Sequence, residues 1–198
     1  CVSDLHLGKS ERIARRAGLM LPPFETLDTL TRLGETITRL NPKTVICLGD
    51  SFDDLTAAND LAPDAKSHII QLQAGRKWLW IEGNHDAGPV DIGGTHVAQT
   101  TIGNLTLRHI ATDEEAEISG HYHPKHAVAG TARPCFLYDT RRLIMPAFGT
   151  YTGGLRSDAA PLKALFPHGA IAVLTGKSAI ATPLGKNQRP QDSRGMSY

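Results

Sequence analysis

The chain has few cysteines, no long apolar runs and almost no excess charge of either sign. Cys1, Cys47 and Cys135 are widely spaced in 198 residues, so they indicate neither a disulfide framework nor a zinc knuckle. No apolar run approaches the roughly 20 residues that span a bilayer. The net charge of +1 gives no whole-chain sign of nucleic-acid binding, although a local basic patch is compatible with it. We therefore expect a cytoplasmic protein with reduced cysteines and no membrane partner.

The chain also lacks internal repeats, low-complexity tracts, linkers and a recognisable signal peptide. Its 198 residues are therefore expected to form a single domain, 1–198, with a substantial core. It begins without methionine, and its first residues, CVSD, have the pattern of the end of a buried strand. We therefore expect the N-terminal strand to be truncated. Residues 185–198 are polar and rich in turn formers, which predicts a flexible tail.

Strand-like and helix-like segments alternate in the first half of the chain. A short helix is predicted within residues 11–18 and is closed by its terminal glycine. In residues 24–40, apolar side chains recur every three or four positions, which predicts a helix with one buried face. Another helix is predicted for residues 63–74. Central strands that are covered on both faces are predicted where nearly all residues are apolar, at 45–48 and at the start of the run 77–86.

The second half is rich in predicted strands. Hairpins are expected around Gly103-Asn104, Asp139-Thr140 and Gly176-Lys177, and one short helix is expected near residues 159–165. An α/β first half that continues directly into a β-rich second half indicates two sheets packed face to face, with helices outside. The predicted fold class is therefore α/β.

Side chains that can bind metal ions follow five of the predicted strands. In open α/β sheets, functional sites lie where the strands end, because the loops there converge on one edge. Five of the nine histidines are in these segments. The sequence therefore predicts one site built from oxygen and nitrogen ligands, drawn from Asp4 and His6, Asp50, Asn84 with His85 and Asp86, His109, and His121 with His123.

These motifs differ in specificity. A D-x-H triple is common by chance in a chain of this composition, and a Gly-Asp pair is commoner still. The runs GNHD at 83–86 and GHYH at 120–123 are much rarer. All of them occur together, each after a strand-like run, and this favours a functional site over a set of solvated loops.

The series SDLH, GD, GNHD, RH and GHYH resembles the signature of the calcineurin-like metallophosphoesterases. More narrowly, the chain is similar to the DNA-ligase-associated metallophosphoesterases known as PdeM, bacterial proteins encoded with a DNA ligase and a helicase. The runs that carry this similarity are SDLHLGKSERIARRAGLMLPPFETLDTL, VICLGDSFDD, WLWIEGNHD and LIMPAFGTYTGGL. The resemblance covers nearly the whole chain except the tail. It implies a four-layer αββα metallophosphoesterase sandwich, with two mixed β-sheets and flanking helices.

The resemblance also implies ligands for two divalent metal ions. The first ion is assigned Asp4, His6, Asp50 and His123, and the second is assigned Asp50 as a shared bridge with Asn84, His109 and His121. A site of Asp, His and Asn without cysteine suits Mn²⁺, Fe or Zn²⁺, and we expect Mn²⁺. The implied reaction is in-line attack on phosphorus by hydroxide formed between the ions.

Other residues are candidates for catalysis and substrate binding. His85 is expected to donate a proton to the leaving oxygen, with Asp86 orienting its ring. Relatives usually carry His where this chain has Asp53, so the role of that position is open. The candidates for phosphate binding are Lys9, Arg15, Arg16 and Arg108, since guanidinium groups bind phosphate through paired hydrogen bonds. Arg15 and Arg16 fit a solvated helix face equally well.

We therefore expect a di-metal phosphodiesterase or nuclease that acts on DNA or on a nucleotide diester, with a DNA ligase and a helicase as partners in DNA repair. Two alternatives stay open. A pyrophosphatase of lipid A synthesis shares several of the motifs, but it would need an apolar membrane-facing lid, and the sequence has no such amphipathic insert. A metal-stabilised, non-catalytic scaffold for DNA-repair partners would be expected to have a broken site, whereas every expected ligand is present.

Overall fold

The computed structural model describes residues 1–10, 12–13, 18, 24–88 and 90–185. Its helices are α1 (Glu25–Leu40), α2 (Leu55–Asn59), α3 (Pro63–Gln73) and α4 (Ala160–Leu165). Its strands are β1 (Thr44–Leu48), β2 (Lys77–Ile81), β3 (Thr95–Val97), β4 (Gln99–Ile102), β5 (Leu105–Arg108), β6 (Glu117–Ser119), β7 (Lys125–Val128), β8 (Thr131–Tyr138), β9 (Arg142–Ile144), β10 (Ala170–Leu174) and β11 (Ile180–Leu184).

The smaller sheet has the strand order β1-β2-β3, and its strands are parallel. The N-terminal residues run beside β1 in the same direction, through parallel bridges from Val2 to Cys47 and from Leu7 to Phe52. Parallel strands end at the same edge of a sheet. The loops that follow Val2, β1 and β2 therefore meet at one edge, as the sequence predicts.

The larger sheet has the order β11-β10-β8-β9-β6-β5-β4, and β7 pairs with β8 outside this path. It is mixed, because β6 runs parallel to both β5 and β9 while the other neighbours are antiparallel. The three predicted hairpins are confirmed as β4–β5, β8–β9 and β10–β11. The prediction of two mixed sheets is wrong for the smaller one, in which the described pairings are all parallel. Its first two strands are joined through helices, and that kind of crossover produces parallel pairing.

Strand β1 is buried on both faces, and its alternating side chains reach two different cores. Val45 and Cys47 face a core shared with α1 and α3, which includes Leu33 and Ile69. The other face contributes to a core between the sheets, made of Ile46, Leu48, Leu79, Ile81, Leu107 and Met145. Helix α4 packs on the larger sheet through Leu162, in a core with Cys135, Leu137 and Leu174. The prediction of two sheets with flanking helices is confirmed.

Two elements were not predicted from the sequence, the short helix α2 and the hairpin formed by β7 and β8. The predicted helix within residues 11–18 and the predicted tail lie largely outside the described residues. In the described part of the chain, no helix is long and apolar enough to cross a membrane.

Candidate metal centre

Three groups of side chains that could bind a metal ion lie at the edge where the strands end, and one of them, His6 with Asp53 and His85, shares His6 with the first cluster described next. The first cluster is Asp4, His6 and His123, and the second cluster is Asp50, His109 and His121. Within each cluster, one potential ligand atom from every residue lies within 4.8 Å of the others. These two clusters unite residues from distant parts of the sequence, and each contains three of the four ligands predicted for one ion.

The first cluster has two short contacts centred on His123. The Nε2 atom of His123 lies 3.3 Å from Nε2 of His6 and 3.2 Å from Oδ1 of Asp4. Asp4 is fully buried and His6 nearly so, whereas His123 is half-buried. The cluster therefore opens towards the surface on the side of His123.

The second cluster is centred on His109. Its Nε2 atom lies 3.3 Å from Oδ2 of Asp50, 3.3 Å from Nδ1 of His121 and 3.0 Å from Oδ1 of Asn84. Asn84 therefore joins this cluster, as predicted, and it is exposed to solvent.

Asp50 connects the two clusters. Its Oδ2 atom lies 3.3 Å from His109 in the second cluster and 3.9 Å from Nε2 of His6 in the first. Burial raises the pKa of this carboxyl group, but the hydrogen bond and charge of His109 outweigh burial and bring the pKa to about 2. Asp50 is therefore a carboxylate at neutral pH, and it is positioned to serve both clusters.

The spacing of these atoms fits metal ligation. Ligand atoms bound to one ion at roughly 2.0–2.2 Å, with angles between octahedral and tetrahedral, lie about 3.0–3.5 Å apart. The contacts around His123 and His109, at 3.0–3.3 Å, have this separation. Two ring nitrogens that face each other also need a cation or a proton between them. The residues present therefore fit two metal ions that share Asp50.

Hydrogen bonds fix which ring nitrogen of the ligands faces the clusters. His109 donates from Nδ1 to the carbonyl of Leu48 at 2.9 Å, so that its Nε2 is directed at the cluster. Burial lowers the pKa of His109, but its hydrogen bond to Asp50 and the charge of that carboxylate raise it above the usual value overall. Burial and the neighbouring His109 lower the pKa of His121.

Asp53 and Arg12 form a supporting pair that sequence reasoning missed. Nδ1 of His6 lies 2.8 Å from Oδ1 of Asp53, and Nε of Arg12 donates to Oδ2 of the same carboxylate. Burial raises the pKa of Asp53, but the hydrogen bonds from His6 and Arg12 hold it below its usual value. No motif marks Arg12, and none includes Asp53. The one available signal was its place three residues after Asp50.

Five of the ligands have a left-handed backbone, which is unfavourable for residues other than glycine. The φ angles are 53° for Asp4, 46° for His6, 45° for Asp50, 70° for His121 and 45° for His123. Such conformations cost on the order of 1–3 kcal/mol each and persist only where the surroundings impose them. Here the loops brace one another, because the N–H of His121 donates to both carboxylate oxygens of Asp4, and that of His6 donates to the carbonyl of Asp50.

The glycines of GNHD and GHYH are required by close packing. A Cβ atom on Gly83 would lie 2.2 Å from both the backbone nitrogen and Oδ1 of Asp50. On Gly120 it would lie 1.8 Å from Oγ of Ser3 and 2.6 Å from Oδ2 of Asp4. Both distances are far below van der Waals contact, so these two motif positions exclude every other residue type unless the loops move.

The predicted role of Asp86 as the residue that orients the His85 ring is wrong. The Asp86 carboxylate instead accepts four backbone N–H groups, from Asp50, Ser51, Phe52 and Gly83, at 2.7–3.1 Å. The carboxylate is buried and points away from the rim, towards the loop after β1. Asp86 therefore fixes the loop that carries Asp50 to the loop that carries Asn84.

His85 lies exposed at the rim of the two clusters. It donates from Nδ1 to the carbonyl of Asp53 at 3.0 Å, and its backbone N–H donates to Oδ1 of Asp50 at 2.9 Å. Its ring stands edge-on to that of His6, with 5.3 Å between the centroids. The backbone of Asp53, rather than the Asp86 side chain, therefore orients the His85 ring. The Nε2 atom of His85 takes no part in that hydrogen bond.

The four residues predicted to bind phosphate differ in their surroundings. Arg108 forms ion pairs with Glu114 and, at 3.7 Å, with Glu117, and it donates to Thr112 at 3.0 Å. Arg108 also lines a pocket with Asn84 and His109, beside the second cluster, so its role as a phosphate ligand stays a prediction. Lys9 is half-buried in the segment that follows His6. Arg15 and Arg16 lie outside the described residues.

Comparisons with known proteins agree with this geometry. Residues 1–170 match the calcineurin-like phosphoesterase family. Among solved structures, the fold is similar to the crystal structure of a Pseudomonas putida nuclease, MPE, with a TM-score of 0.69 and 25% sequence identity. That match covers 92% of this chain and 86% of the other. No curated protein matches the chain in sequence.

Proposed function

The chain belongs to the calcineurin-like phosphoesterase family, whose activity is phosphoester hydrolysis at a metal centre, and we propose that it is a two-metal phosphodiesterase that cleaves DNA. The observation that carries this proposal is the position of Asp50 between the two clusters. A carboxylate that can serve two ion sites fits two-metal hydrolysis of phosphodiesters, in which the ions lie about 3.5–4 Å apart.

The residues of the two clusters would hold the ions. Asp4, His6 and His123 would bind one ion, Asn84, His109 and His121 would bind the other, and Asp50 would bind both. When bound, two such ions supply a nucleophile from water near neutral pH and positive charge for the phosphoryl oxygens. Nitrogen and oxygen ligands without sulfur favour Mn²⁺, with Fe and Zn²⁺ as alternatives.

His85 would supply the proton that the leaving oxygen needs. Because Nδ1 donates to the Asp53 carbonyl, Nε2 carries a proton only when the ring is an imidazolium. The acid is therefore protonated His85, whose exposed position at the rim lets Nε2 reach a bound substrate. A positioned acid typically contributes about 10²–10⁴-fold to such a step.

The preference for DNA rests on two further points. The similar Pseudomonas protein is a nuclease, and the exposure of Asn84 and His85 leaves the centre open to a polymer as well as to a small molecule. The resemblance to DNA-ligase-associated proteins supports a role in DNA repair, beside a ligase and a helicase.

The test is a turnover screen after the protein has been stripped of metal and reloaded with Mn²⁺, Fe²⁺ or Zn²⁺. The substrates are a nitrophenyl diester, a nitrophenyl monoester, single-stranded DNA and duplex DNA. We expect hydrolysis of the diester and of DNA in the loaded protein and none in the stripped protein. Preference for the monoester, or no diester hydrolysis with any of these metals, would overturn the proposal.

A further inference from the structure

A loop that borders the first cluster carries an exposed aromatic side chain, and we call residues 149–154 the Tyr151 loop. At its start, the N–H of Gly149 donates to the carbonyl of Asp4 at 3.0 Å. At its end, a Cβ atom on Gly154 would lie only 2.2 Å from the carbonyl oxygen of His123. Both ends of the loop therefore rest against the backbones of residues that belong to the first cluster.

Hydrogen bonds fix the loop on either side of Tyr151. Before it, the N–H of Thr150 donates to Oγ1 of Thr29, in α1, at 3.0 Å. After it, Oγ1 of Thr152 donates to the carbonyl of Gly149 at 3.1 Å. The backbone that presents Tyr151 is therefore tied both to a helix and to its own first residue.

Tyr151 combines an unfavourable backbone conformation with an exposed side chain. Its φ angle is 60°, which is rare for a bulky residue, and the residue is 47% exposed. Strained conformations of this kind persist only where the surroundings impose them, and they cluster at functional sites. An exposed ring on a fixed backbone binds a partner with little loss of conformational entropy. These features indicate a binding role for the ring.

The loop places Tyr151 beside the opening of the first cluster. Tyr151 is two residues from Gly149 and three from Gly154, spans of at most about 7 Å and 11 Å. The cluster opens towards the surface on the side of His123, which is half-buried. A substrate that reaches the first cluster from this side therefore passes the Tyr151 loop.

Tyr151 and the proposed proton donor lie next to different residues of the first cluster. His85 stands edge-on to His6, with 5.3 Å between the ring centroids, and it would serve the leaving oxygen. The Tyr151 loop instead rests against Asp4 and His123. A diester carries two organic groups on its phosphate, and only one of them leaves. Tyr151 is therefore placed for the group that stays on the phosphate, which we call the retained group.

We propose that the ring of Tyr151 stacks on the nucleobase of the retained group. Stacking of this kind accepts any base, because every base has a π-face. The inference rests on the proposed phosphodiesterase activity and deepens it. It makes Tyr151 the residue that favours nucleotide diesters over diesters with a small alkyl group, a distinction that residues acting on the shared phosphate do not make.

The test compares two nitrophenyl diesters that have the same leaving group, with the metal-loaded protein. The retained group is thymidine in one, joined through its 5′ or its 3′ oxygen, and methyl in the other. We expect Tyr151→Ala to raise KM for the better thymidine isomer by at least about fivefold, the low end of what one stacked base contributes. Its kcat should change by less than about twofold, because the stack is the same in the bound substrate and in the transition state. The kcat/KM for the methyl diester should stay unchanged.

Two further variants separate the ring from other contributions. Tyr151→Phe keeps the ring and should leave KM for the thymidine diester unchanged, whereas a loss equal to that of Tyr151→Ala would assign the binding to the hydroxyl group and overturn the stack. Tyr138→Ala is the matched control and should change neither substrate. Tyr138 is 36% exposed and lies in β8, two strands from β6, which is a distance of about 10 Å.

The outcomes for the inference and for the proposed function are distinct. Equal losses of Tyr151→Ala on the thymidine and methyl diesters would overturn the inference, because they would place Tyr151 against the shared leaving group or behind the metal centre. An unchanged KM for the thymidine diester would overturn it as well. Turnover of the methyl diester without turnover of either thymidine isomer would contradict the inference and leave the phosphodiesterase activity in place. No turnover of any of these diesters by the unmodified protein would contradict the proposed function itself.

Discussion

The imidazole of His6 is held by the carboxylate of Asp53, with 2.8 Å between Nδ1 and Oδ1. Because an ionised carboxylate only accepts hydrogen bonds, Nδ1 must carry the proton, and Nε2 then presents its lone pair to the metal centre. Arg12 neutralises the other oxygen of Asp53. The pair thus selects the ring form of His6 that can bind a metal ion, which gives Asp53 a physical role.

Asp53→Asn should weaken metal binding by about 10–100-fold, as is typical when the partner of a histidine ligand is lost. The amide keeps one acceptor for His6, but its NH₂ group would face the Arg12 donor. Calorimetric titration of the stripped protein with Mn²⁺ measures the effect. Asp60→Asn, at an exposed position, is the matched control. Unchanged affinity in the Asp53 variant would mean that Asp53 only contributes to folding.

The meeting of the candidate metal ligands at one edge could be predicted from the sequence, because they follow apolar runs that form strands. Asp50 comes two residues after β1 and His109 directly after β5, so the shared edge of the sheets places them together. The hairpin turns were predictable for a similar local reason, since Gly103-Asn104 is a strong turn former.

The supporting contacts could not be predicted in this way. Arg12 and Asp53 meet only through the folded chain, and no spacing encodes that contact. Asp86 follows His85 directly, which suggested that the two side chains cooperate, but the backbone turns Asp86 inwards and leaves His85 outside. Helix α2 is only five residues long. Its one sequence signal is the N-cap Asp54, whose side chain accepts a hydrogen bond from the backbone N–H of Ala57.

Asp50→Asn should remove activity and weaken the binding of both ions. The carboxylate lies between the clusters, so its loss removes negative charge from each ion and should not be selective. Metal content per chain and nitrophenyl diester turnover are the two measurements. An Asp50 variant that retains two ions and normal turnover would refute the bridging assignment.

Asp86→Asn should destabilise the fold by about 2–4 kcal/mol, because an amide cannot accept the four buried N–H groups that the carboxylate accepts. The donors belong to Asp50, Ser51, Phe52 and Gly83. Urea unfolding of the metal-free protein measures this loss without any contribution from bound ions. Asp91→Asn, at an exposed position, should change stability by less than about 0.5 kcal/mol. Equal stability of the two variants would show that Asp86 does not fix the loop.

His85→Ala should discriminate between substrates according to how much the leaving oxygen needs a proton. A nitrophenolate is already a stable anion near neutral pH, whereas a sugar alkoxide is not. We therefore expect a loss of about 10²–10⁴-fold on a dinucleotide or DNA and a much smaller loss on a nitrophenyl diester. His168→Ala, which removes an exposed histidine, should leave both rates unchanged.

The competing role for His85 is to position a non-bridging phosphate oxygen from its place beside His6. That contact stabilises the equatorial charge of the transition state, which is the same for both substrates. In that case the two rates would fall by similar factors. The ratio of the two losses, measured with the metal content of each variant confirmed, therefore separates the roles, and equal losses would exclude proton donation by His85.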